Sequence, residues 1–312
     1  MKTVFQVAKA ELKTLFYSPI AWFLLIIFFI QAGVAYFGQL DPIARMQDSG
    51  AKLSFSLTNS IFFGRGVFNT VVQNLYLYLP LLTMGLISRE MSSGTIRLLY
   101  SSPIKVSGIV LGKFLSIMIL NLLLTLLVTV YILITYCFIP FPDTGLLLAS
   151  LLGLFLVLCA YAAIGIFMSS LTNYQVVAAV CTFVTIWALH SVGSLWQDIP
   201  IVRNLTYFLS LSGRSGKMMQ GLITSKDLIY FTVIIYMFLS LSIYKLKSGM
   251  ESRSAWYKTG RYLIIIGITL LIGYVSSIPQ LVLYLDATRS NNNTIVPPAQ
   301  KILHSLGDEP LE

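Results

Sequence analysis

Seven stretches of about twenty apolar residues govern what this chain can fold into. They are Pro19–Gly38, Val67–Ile87, Ile109–Phe138, Gly145–Ser169, Gln175–Leu195, Leu228–Leu246 and Tyr262–Leu283. A helix of about 20 residues crosses the hydrocarbon core of a bilayer. Backbone groups left unpaired in lipid are too costly for open strands, so each stretch is read as a helix. Their interiors hold one charge, Lys113, one turn from the start of the third.

Composition agrees. The 312 residues are 56% hydrophobic and 11% charged, against about 25% charged in a soluble domain. The net charge of +9 would suggest nucleic acid in a soluble protein. Here the basic residues lie between the apolar runs, so they are assigned to lipid headgroups and to membrane orientation, with no nucleic-acid partner. With the N-terminus cytoplasmic, the inner segments are 1–18, 88–114, 170–174 and 245–261. These hold twelve of the 21 Lys and Arg but only Glu11, Glu90 and Glu251 of the 12 acids. That excess predicts N-inside. Cys137, Cys159 and Cys181 fall in apolar runs without metal spacing and are read as small hydrophobes.

Residues 1–18 form an amphipathic pattern. Phe5, Ala8, Leu12, Leu15 and Phe16 share one face, while Lys2, Gln6, Lys9 and Lys13 fall on another. This predicts a helix lying in the headgroup plane. A signal peptide is the poorer reading, because the next apolar run is too long and no A-x-A site follows. The outer loops Gln39–Gly66 and Trp196–Asp227 are too apolar to be plain solvated loops, and short interfacial or re-entrant helices are expected in them. Residues 247–261 read as a basic cytoplasmic linker. Residues 284–312 read as the start of an extracytoplasmic segment, with a Pro-started helix at "PPAQKILHSL". Alone they cannot bury a core, so either this tail docks elsewhere or, the favoured expectation, the chain is longer.

Most catalytic chemistry is missing from the sequence. Gly108 and Gly112 have three residues between them and Phe114 follows Lys113, so the phosphate-loop pattern is not met. There is no HExxH. His190 and His304 are the two histidines, and His190 has no carboxylate near it in sequence. No ionisable group lies mid-span, which argues against proton-coupled carriers. Ser116, Ser169 and Ser170 fit helix packing better than catalysis. Energy for any transport must therefore come from a partner. The 17 Tyr and 19 Phe fit lipid contact and lipid or glycan cargo equally well, so they name no substrate.

The informative interruption is "SREMSSGTIRLLYSSPIKVSGIVLGKF", Ser88–Phe114, between the second and third runs. "REMSSGTIRLLY" predicts about three helical turns, with Ile96, Leu98 and Leu99 on an apolar edge and Arg89, Glu90 and Arg97 giving charge. Ser102-Pro103 stops it, because the residue before proline avoids the helical region. A rigid surface helix joined to two spans could turn a push from a soluble protein into a tilt of those spans.

The order Glu90, Gly94-Thr95, Leu98-Leu99, Ser102-Pro103, Gly112-Lys113 resembles the ABC-2 family of exporter permeases. The likeness covers about residues 1–246. It implies an all-α integral membrane fold: an elbow helix at 1–18, a six-helix permease bundle at 19–246, a linker at 247–261 and a seventh transmembrane helix at 262–283. The part from 284 resembles the start of a gliding-motility-type auxiliary subunit with an extracytoplasmic domain. The resemblance implies that Arg89, Glu90, Gly94, Thr95, Arg97, Leu98, Pro103 and Lys113 couple to a separate ABC ATPase. That partner would carry the ATP and Mg, and this chain would bind no cofactor. It also implies a second permease copy or relative and a bacterial inner membrane location. Rival readings are an ATP-independent carrier or channel, an intramembrane enzyme, and a scaffold for the outer segment.

Overall fold

The computed structural model describes residues 2–48, 57–64, 66–101, 104–139, 141–192, 210–250, 254–278, 282–289 and 293–294. In chain order the helices are α1 (Lys2–Tyr17), α2 (Pro19–Asp48), α3 (Leu57–Phe62), α4 (Val67–Thr83), α5 (Ser88–Ser92), α6 (Ile96–Ser101), α7 (Val106–Phe138), α8 (Thr144–Leu171), α9 (Gln175–Ser191), α10 (Leu211–Met219), α11 (Ser225–Ser248) and α12 (Ala255–Ser276). The described residues also hold two short strands, β1 (Leu222–Thr224) and β2 (Tyr284–Asp286).

Among the described residues, six stretches are long and apolar enough to cross a membrane: Pro19–Arg45, Leu57–Ser92, Val106–Phe138, Thr144–Leu171, Ser225–Ser248 and Trp256–Ser276. α9, the fifth stretch expected from sequence, is apolar but only 17 residues long. Its expected end at 193–195 lies outside the described residues.

α8 forms the axis of the bundle. It packs against α4, α7, α9, α10 and α11, and Ala160–Ile164 are buried throughout. Small residues let neighbouring helices come close. At Gly165 an added Cβ would collide with Thr83 of α4. α12 is the opposite case, packing chiefly on α11 and leaving Leu263, Ile264, Ile268 and Leu271 exposed.

Several boundaries differ from the sequence reading. α2 continues past Gly38 to Asp48, because Leu40 and Ile43 still pack on the core. α7 starts at Val106, so Lys113 stands about two turns inside the helix rather than one. α12 begins at Ala255, taking up part of the expected linker. Its basic residues have local partners: Lys258 Nζ donates to the Ser248 carbonyl at 2.8 Å, and Arg261 lies over the Tyr257 ring at 4.9 Å. The expected loop helices are present as α3 and α10. α3 is no surface element, since Ile61 and Phe62 are fully buried.

The all-α expectation also needs one amendment. β1 and β2 pair antiparallel, Leu222 opposite Asp286. Around them, Ser225 N donates to Leu283 O at 3.0 Å, Ala287 N to Gly221 O at 2.9 Å, and Arg289 N to the Asp143 carboxylate at 3.0 Å. The chain after α12 is thereby fastened to the starts of α8 and α11. The helix expected at "PPAQKILHSL", with His304, lies outside the described residues.

Candidate functional site

The bridge between α4 and α7 begins with a staple from α8. Ser169 Oγ accepts from both Ile87 N and Ser88 N at 3.0 Å, and donates to Met84 O at 2.9 Å. Its hydroxyl is spent on the backbone of this turn, which is the packing role expected of it rather than a catalytic one.

The bridge itself is two short helices instead of the expected single one. Ser92 Oγ and Ser93 Oγ donate to the carbonyls of Arg89 and Glu90. Such local bonds compete with helix continuation. Gly94 then takes φ +73°, a left-handed conformation that glycine adopts without strain. The chain restarts at Ile96. Turning at Gly94 also breaks the expected apolar edge: Ile96 packs on the core while Leu98 is 71% exposed.

Lys113 is the centre of the site. Its side chain is 1% exposed, yet it carries an ammonium. The ammonium contacts Glu11 of α1, and donates to Glu90 of α5 at 2.6 Å. Arg89 reaches the other oxygen of Glu11 at 3.7 Å. Two cations and two carboxylates therefore join three separate elements. A buried lysine is tolerated only when paired in this way. α1 approaches closely enough because α7 has glycines facing it: a Cβ at Gly112 would lie 2.7 Å from Val7 Cβ and 2.9 Å from Val4 O.

Of the residues expected from sequence to couple with a partner, the structure brings Arg89, Glu90 and Lys113 together around Glu11, with Glu90 and Lys113 turned inward and Arg89 about half exposed. Thr95, Arg97 and Leu98 face outward, and Gly94 forms the exposed turn between the groups. Pro103 lies outside the described residues. Glu11 was missed by sequence reasoning. The available signal was its place on the face of Val4, Val7 and Ala8, at helical spacing, on a helix otherwise rich in lysine.

A second buried ion pair was also missed. Arg214 of α10 and Asp227 of α11 meet at 3.0 Å, at 4% and 1% side-chain exposure. Thr224 Oγ1 donates to Asp227 at 2.6 Å, and Arg214 lies over the Tyr230 ring at 4.2 Å. Midway along α4, Tyr76 hydrogen-bonds His190 Nδ1 across to α9.

No curated protein matches the chain. The pattern of one family, described as ABC-2 family transporter protein, matches residues 5–285. That match runs from α1 through α12 and into β2, beyond residue 246, where the likeness read from sequence ended. With its bundle of apolar helices, the chain belongs to the ABC-2 transporter family as a multi-pass membrane permease.

Proposed function

We propose that this chain is the membrane-spanning subunit of an ATP-driven exporter. On this proposal the α5–α6 bridge faces the cytoplasm and passes movement of a separate ATPase to α4 and α7. Family membership implies an ABC ATPase as partner. The observation that carries the mechanism is the Lys113 cluster. It ties α1, α5 and α7 together, so a force on the bridge reaches two spans and the N-terminal helix at once. The exposed Arg97 and Leu98 supply the docking face, and Glu90 the internal link. Two such permeases, identical or related, would enclose the substrate path in a bacterial inner membrane. The segment after α12 would begin the extracytoplasmic auxiliary part, as its likeness to gliding-motility-type subunits implies.

The two roles separate under mutation. Arg97→Ala with Leu98→Ala should lower co-purification of the ATPase by about tenfold, the loss of roughly 1.4 kcal/mol. Glu90→Gln should leave co-purification intact and abolish substrate stimulation of ATP hydrolysis. A cysteine at Ser93 should react with an impermeant thiol reagent only after the membrane is opened. Unchanged capture and unchanged stimulation in both variants would remove the coupling role, and labelling of intact cells would reverse the orientation.

A further inference from the structure

A cavity of about 320 Å³ lies where α4, α9 and α10 meet. That is the small end of the range for ligand pockets, about 300–1,000 Å³. We propose that it binds an uncharged, hydroxyl-rich group of about the size of one sugar ring, either free or as the headgroup of an amphiphile. The proposal rests on the permease reading above and names the class of substrate.

Three observations carry it. First, Asn69, Gln73 and Tyr76 of α4 stand at i, i+4 and i+7, so one polar stripe of this helix lines the cavity. The side chains of Asn69 and Gln73 are exposed and have no hydrogen-bond partner in the described chain. Each amide has two N–H donors and an accepting oxygen to satisfy. Facing lipid they would be costly, so this side of α4 fits water or a polar ligand. Second, the walls are aromatic. Phe63 and Phe68 pack at 5.5 Å between ring centroids, tilted 33°. Flat apolar rings beside planar amides suit a ligand with C–H faces and hydroxyl edges. Third, among the described lining residues none is Asp, Glu, Lys or Arg, and the lining imidazole of His190 is hydrogen-bonded to Tyr76. The nearby Arg214 is committed to Asp227. A phosphate, carboxylate or ammonium would find no permanently charged counter-ion among them.

The cavity also has a wall that can be filled. Gly216 of α10 lines it, and a Cβ there meets nothing within 4 Å. A larger side chain would therefore grow into the space rather than into the protein.

The test uses the full chain in lipid nanodiscs and three photoreactive probes with one shared diazirine-bearing alkyl chain: a glucoside, a phosphocholine and a sulfate. The glucoside should label peptides within 63–76 and 215–220. Labelling should fall about tenfold in Asn69→Ala/Gln73→Ala, the loss of one or two hydrogen bonds. It should disappear in Gly216→Phe and persist in Gly216→Ala, which also controls for folding. Competition by free glucose as strong as that by unlabelled alkyl glucoside would identify a free sugar as the source, and competition by the glucoside alone a lipid headgroup. Equal labelling by the phosphocholine or sulfate probe, or labelling that survives Gly216→Phe, would overturn the proposal. No ATPase is needed for this assay, so its failure leaves the permease reading intact. Failure of ATPase capture, in turn, leaves the labelling result intact.

Discussion

Truncating Lys113 would leave Glu11 and Glu90 facing each other with 10% and 19% side-chain exposure and no buried cation between them. Breaking a buried pair by removing one partner costs about 3–5 kcal/mol, whereas replacing every member by neutral groups is often nearly neutral. Lys113→Met should therefore lower the thermal unfolding midpoint of the detergent-solubilised protein. Adding Glu11→Gln and Glu90→Gln should restore most of the loss. A midpoint unmoved by Lys113→Met would show that the cluster does not hold these helices. Lys113 was visible in the sequence as a lone charge in an apolar run. Its partners were not, because Glu11 is 102 residues away and helical spacing says nothing about which helices touch.

Among the helices, α1 depends most directly on one neighbour. Its apolar spacing was legible, and Ala8 is indeed buried. Phe5, assigned to the same face, is 69% exposed. The contact surface runs instead along Val4, Val7, Ala8 and Glu11, since α1 lies on the glycine face of α7. A methyl at Gly112 would push α1 outward, at about 1–3 kcal/mol for overpacking. In a background carrying Ala8→Cys, Gly112→Ala should speed modification of that cysteine by about tenfold for each 1.4 kcal/mol lost. Equal rates with and without Gly112→Ala would mean that α1 is held by other contacts. The split of the bridge at Gly94 was partly legible too. Ser-Ser-Gly stands in the sequence, but the bonds from Ser92 and Ser93 to the Arg89 and Glu90 carbonyls that end α5 are a feature of the folded chain.

Across the whole molecule, the β1–β2 clasp fixes where α12 and the following chain sit. Asp286 holds the clasp's turn together. Its carboxylate accepts from Thr288 N at 3.0 Å, Thr288 Oγ1 at 2.6 Å and Asn293 N at 2.8 Å. Partial burial works against its ionisation, and the hydrogen bonds from Thr288 and Asn293 outweigh that, so its pKa lies below the ordinary value. The folded clasp thus favours the ionised form. The stability this adds is present above the unfolded value, about 3.9, and is lost as pH falls through the lower folded value. Hydrogen-exchange protection of the Ala287 amide, corrected for its intrinsic rate, should drop on acidification. Asp286→Asn should lower protection at neutral pH and flatten its pH dependence. An identical pH profile in that variant would exclude Asp286 as the titrating group.

The sequence by itself determined that the chain enters a membrane, roughly where each helix lies, and that the Ser88–Phe114 segment stands apart. Those properties follow from burial and periodicity, which are local along the chain. Only the tertiary structure decided that Lys113 faces Glu11 and Glu90, that Arg214 meets Asp227, that amides on α4 open onto a cavity, and that two distant tripeptides pair as strands. A membrane-spanning helix is apolar over most of its surface, so its sequence only weakly marks which side meets protein. Close packing around small residues such as Gly112 and Gly165 makes that choice.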